Sequence, residues 1–201
     1  MTGGHSWRGR IAFTVSAVTS PYLVTALTAG VVVYLVHATV GELLLWVGIA
    51  TGFSAVLPFL LVLGLLRLGR VTDMHVALRE QRAVPLLATL LSATVGLCLL
   101  HRVGAAKQVL ALGWAFLLNG ALLTLITLRW KISVHAATFA ACVIALGLVG
   151  SPWAICALAF LPLVLWARLH RRRHTLMQGL VPVLLVSATT PLAYEVAMMW
   201  L

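Results

Sequence analysis

Seven apolar runs, near residues 11–36, 43–66, 85–100, 108–128, 133–150, 152–167 and 176–200, fill most of this chain, with short polar stretches between them. About 20 apolar residues cross the hydrocarbon core of a bilayer as a helix. Inside lipid the backbone must satisfy its own hydrogen bonds, so only helices or a closed barrel can span it. A barrel needs polar side chains at every second position, and that alternation is absent. The expected fold is therefore an all-α, polytopic transmembrane helix bundle of about six or seven spans, forming a single domain over residues 1–201. Two runs, 133–150 and 152–167, are short for full crossings and are joined only by Gly150-Ser151-Pro152; one hairpin of tilted or shallow helices fits them equally well. The first run follows Arg8 and Arg10, as in a signal peptide, but it is longer than a signal's apolar core. An uncleaved first span is expected.

Charge placement then orients the bundle. If the chain alternates sides at every run, Arg8, Arg10, Arg67, Arg70, Arg79, Arg82, Arg129, Lys131, Arg168, Arg171, Arg172 and Arg173 fall on the side of the N-terminus, and only Arg102 and Lys107 on the other. The positive-inside rule makes the first side cytoplasmic, in a cell (inner) membrane. The net charge of +10, with four acids in the whole chain, would suggest nucleic acid in a soluble protein. In a chain that is 62% hydrophobic and 9% charged, the expected anionic partner is a lipid headgroup or a phosphorylated substrate instead. Cys98, Cys142 and Cys156 lie inside apolar runs without metal-ligand spacing and read as small core residues. Trp130 and Trp166 read as anchors at the membrane interface.

Three polar stretches on the basic side carry groups suited to phosphate chemistry. In Asp73 to Pro85, a helix would line His75, Arg79 and Arg82 along one face, a cationic stripe for phosphate oxygens. Asp73 and Glu80 would sit on a separate face, able to orient the arginines or to hold a divalent ion. In Arg129 to Ala137, Lys131 and Ser133 precede a helix start whose N–H groups can receive an anion, and His135 beside them can donate a proton to a departing oxygen. In Ala167 to Gln178, Arg168 can hold a phosphate bidentately and His174 can attack it or move a proton. On an unbroken helix those two point about 120° apart, so the segment must bend if both are to meet one phosphate. Arg171 to Arg173 fit a topology signal at the end of a span. His170 and His174, spaced i and i+4, have metal-ligand spacing, but no carboxylate completes a set.

Taken in order over roughly residues 73 to 178, these stretches resemble the type-2 phosphatidic acid phosphatase superfamily of membrane lipid phosphatases. That family's pattern is K-x-x-x-x-x-x-R-P, then P-S-G-H, then S-R-x-x-x-x-x-H-x-x-x-D. Ser133-Val134-His135 stands where S-G-H would be, and Arg168 with His174 repeats the spacing of the last motif. The resemblance implies that His174 is a nucleophile forming a phosphohistidine, that Arg168 holds the phosphoryl oxygens, that His135 protonates the leaving group, and that no metal is required. Three positions depart from the pattern. Gln178 takes the place of the aspartate that orients the nucleophile, Val134 replaces glycine, and in the first motif Arg82 is followed by proline only three residues later, with His75 at the lysine's spacing. Gln178 can accept a hydrogen bond from an imidazole but cannot stabilise an imidazolium with a full charge.

The expected activity is hydrolysis of a lipid or prenyl (di)phosphate at a cytoplasm-facing site, without a cofactor. Two alternatives use the same residues. One is a Mg²⁺-dependent enzyme that ionises a prenyl diphosphate, with Asp73 and Glu80 holding the metal. The other is a binding or transport protein that recognises a lipid phosphate without consuming it.

Overall fold

A computed structural model describes residues 7–36, 39–73, 76 and 78–201, with the side chain of Arg79 left aside. His75 lies outside the described residues. Every element longer than a turn is helical: α1 (Trp7–Val18), α2 (Pro21–Leu35), α3 (Val40–Thr51), α4 (Leu57–Arg67), α5 (Ala83–Arg102), α6 (Lys107–Arg129), α7 (Val134–Leu148), α8 (Trp153–His170) and α9 (Leu176–Trp200). The seven apolar runs thus fold as helices with ends within a few residues of those expected.

The first run is not straight. Ser20 accepts a hydrogen bond from Leu23 N–H through its side chain, and Pro21 opens α2 without an N–H to give. The helix therefore restarts there, with a bend of 49° between α1 and α2. The second run is continuous from Val40 to Arg67 but passes through a π-helical turn at Gly52–Val56, just ahead of Pro58. Ser92 on α5 donates to Phe53 O at 2.6 Å, reaching a carbonyl within that wider turn.

Among the described residues five helices are long and apolar enough to cross a membrane, and the bent α1–α2 pair is a sixth if the two helices count as one broken span. The fifth run, α7, is only 15 residues long, or about 22 Å at 1.5 Å per residue. It sits inside the bundle, packed by α2, α8 and α9, with ten of its residues buried. A helix sheathed by other helices need not match the lipid thickness.

Four helices end in the same way. α4, α5 and α7 finish with Gly69, Gly104 and Gly150 in the left-handed region. α8 does so with Arg172 at φ +50, closed by Arg172 N–H to Leu169 O at 2.8 Å and Arg173 N–H to Arg168 O at 3.2 Å. That turn folds α9 back beside α8 and supplies the bend required between Arg168 and His174.

Two expectations change. The described residues between Asp73 and Arg82 do not form one helix; they carry a single 3-10 turn at Arg79–Gln81, and α5 begins only at Ala83, so that Pro85 lies in its first turn. Among the cysteines only Cys142 is buried, whereas Cys98 and Cys156 are exposed on outward helix faces.

Candidate functional site

The loops before α5, before α7 and between α8 and α9 meet at one end of the bundle. There they close the mouth of a cavity of about 610 Å³, whose wall includes Arg82, His135, Arg168 and His174. Three segments that lie far apart in the sequence are brought onto one surface.

Arg168 stands in the last turn of α8 and is only 3% exposed. Its Nε and Nη1 have no hydrogen-bond partner. A buried guanidinium left unpaired is costly, because it loses water without gaining an acceptor. An oxyanion at the cavity mouth would supply acceptors in the matching geometry.

His174 lies in the turn before α9, 8% exposed, and its Nδ1 is also without a partner. Burial is the main cause that lowers its pKa from 6.5 to about 3, aided by the positive charges of Arg168, Arg82 and Lys131; a side-chain hydrogen bond with Gln178 pushes the other way. At neutral pH the imidazole is uncharged, with a lone pair available. Gln178 has a second duty. Its Oε1 accepts from Thr175 N–H at 3.1 Å while Thr175 Oγ1 accepts from Gln178 N–H, a reciprocal cap set at the residue after His174, so that α9 begins at Leu176.

Arg82 stands buried at the position just before α5, where its side chain does not cap the helix but turns to the neighbouring loops. Its Nε donates to Val76 O at 2.8 Å and its Nη1 to Ile132 O at 3.0 Å. It therefore ties the loop before α5 to the loop before α7, and only its remaining N–H groups are left for a ligand. Burial lowers its pKa, with Asp73 opposing.

Ser133 departs from its expected role. Its hydroxyl oxygen accepts from Ala136 N–H as the cap of α7, its own N–H donates to Gln178 O at 2.8 Å, and it is not on the cavity wall. Lys131 is likewise off the wall, but it acts through its field. Burial and the nearby Arg82, Arg173 and Arg168 lower its pKa, the sign of a crowded cationic mouth.

His135, in the first turn of α7, is buried and faces the cavity. Arg79 contributes its backbone to the 3-10 turn. Asp73 Oδ2 lies 3.5 Å from Arg173 Nη1, and neither Asp73 nor Glu80 lines the cavity. The two acids proposed for a metal are thus placed outside the mouth, one of them against an arginine. Among the described residues, no group of three or more His, Cys, Asp or Glu side chains gathers as a metal site.

The remaining wall was not anticipated from the sequence. Below the mouth the cavity runs between α2, the π-turn and α4, α5, α6 and α7, past Thr28, Phe59, Thr89 and Asn119. Asn119 was its visible signal, since an amide in the middle of an apolar run has to find partners. It donates to Thr190 Oγ1 at 2.8 Å and accepts from Thr189 Oγ1 at 2.5 Å, joining α6 to α9.

The sequence matches no family model, and comparisons with curated proteins and with solved structures return no match either.

Proposed function

We propose that this membrane protein is a phosphatase acting on a lipid or prenyl (di)phosphate, with the headgroup held at the cationic mouth and the tail among the helices. The observation that carries this reading is the pairing of Arg168 and His174 on one cavity wall, both buried and both with unpartnered nitrogens. Arg168 holds the phosphoryl oxygens. The uncharged imidazole of His174 attacks phosphorus, a P–N bond forms, and the P–O bond to the leaving group breaks. His135 gives a proton to the departing oxygen and then takes one from the water that hydrolyses the phosphohistidine. These roles match those implied by the type-2 phosphatidic acid phosphatase resemblance, and the basic end faces the cytoplasm in the cell membrane.

The test is to trap labelled phosphate on the purified protein. Label on the wild type and none on His174→Ala is the expected result; a His174→Ala protein with parental turnover overturns the mechanism. One observation favours a second reading, a non-catalytic binder of lipid phosphate: Gln178 brings no charge to His174 and is occupied in capping α9. Ligand bound but recovered intact would select it.

A further inference from the structure

The cavity continues well past the cationic mouth, and its shape bears on the tail of the ligand. Along α5 it is lined by Pro85, Leu86, Thr89, Ala93, Leu97 and Leu100, one face of a single helix. From Pro85 to Leu100 is about 22 Å at 1.5 Å per residue, against a hydrocarbon core of about 30 Å. Farthest from the mouth the cavity is lined by Val32, Val33, Leu97, Leu100, Val109 and Leu112, which belong to one buried apolar cluster.

We infer that the site takes a phosphate or diphosphate on a single apolar tail of about fifteen to twenty carbons, and that Ala93 and Leu100 set the length it accepts. This rests on the phosphate-binding reading of the mouth. A methylene-sized group fills roughly the ~30 Å³ share of a water molecule, so a cavity of about 610 Å³ that also receives the headgroup favours one such tail over the two long acyl chains of a phosphatidic acid. Ala93 stands about 12 Å below Pro85, near mid-depth. A large side chain there shortens the shaft. Leu100 belongs to the floor, and removing its isobutyl group lengthens it.

The experiment measures binding and turnover of dimethylallyl, geranyl, farnesyl, geranylgeranyl and longer polyprenyl diphosphates, and of dioleoyl phosphatidic acid, by purified wild type, Ala93→Trp and Leu100→Ala. The wild type should prefer the farnesyl to geranylgeranyl range. Ala93→Trp should shift preference toward geranyl by about tenfold, and Leu100→Ala toward the next longer tail, since one misfit apolar group changes discrimination by about tenfold or more. Opposite shifts in two variants cannot come from simple misfolding. Diphosphates consumed with no dependence on tail length, or phosphatidic acid handled as well as geranylgeranyl diphosphate, would overturn the shaft inference and leave the headgroup reading standing. If none of these ligands is bound by any of the proteins, the headgroup reading falls and the shaft inference with it.

Discussion

Arg172 occupies a left-handed backbone position for which three other helix ends of this protein use glycine. An L-residue with a side chain there costs roughly 1–2 kcal/mol. Arg172→Gly should therefore raise stability by about 1 kcal/mol, read as a higher midpoint in detergent unfolding; a lower midpoint would mean the arginine side chain holds the turn. His174 makes a second prediction at this scale. The unfolded chain binds its proton near pH 6.5 and the folded chain only near 3, so between those values the unfolded state carries more protons. Stability is then full above about pH 6.5, falls as pH drops through that window and levels off below about 3. NMR of histidine-labelled protein should show an imidazole that stays neutral down to about pH 4 and vanishes from the spectrum in His174→Ala. Gln178→Asp places a carboxylate beside that imidazole and should raise its pKa by roughly a unit or more; an unmoved titration would show that residue 178 does not act on His174.

Among the elements, the helical runs were legible in the sequence because lipid leaves a long apolar stretch no alternative to helix. The non-helical course of the described residues between Asp73 and Arg82 was not, because charge spacing was read as one face of a helix. In a helix Val76 O would be taken by the N–H four residues on. Here it is taken by Arg82 Nε, and Arg82 Nη1 also collects Ile132 O, so a guanidinium replaces what the helix would have provided. The bend at Ser20-Pro21 had its signal in the sequence, a serine cap followed by proline, but the apolar run masked it. The π-turn had none, since its stability depends on Ser92 from another helix. Ser92→Ala should cost about 1 kcal/mol and loosen the α3–α5 packing, measured as faster amide exchange around Phe53. Ser92→Thr should retain most of the stability.

For the whole molecule, the polar residues singled out in the sequence include four on the cavity wall, Arg82, His135, Arg168 and His174, and two off it, Lys131 and Ser133, while the depth behind them was not legible. Arg82, His135, Arg168 and His174 announce themselves because a charged or imidazole side chain at the edge of an apolar run needs a reason. The shaft is built of ordinary leucines, valines and alanines, whose facing across α2, α4, α5, α6, α7 and α9 only the packing reveals. Orientation remains a matter of the charge count. In a cysteine-free background, a membrane-impermeant thiol reagent added from outside should label Lys107→Cys and not Arg70→Cys; the reverse pattern would turn the protein over.

The hydrogen bond from Ser133 N–H to Gln178 O joins the first residues of α7 and α9 backbone to backbone. His135 and His174 therefore ride on a common hub, two positions after one of its contacts and four before the other. Ser133→Ala removes the α7 cap but leaves this main-chain bond, whereas Ser133→Pro deletes the bond as well, and only the second should let the two imidazoles drift apart.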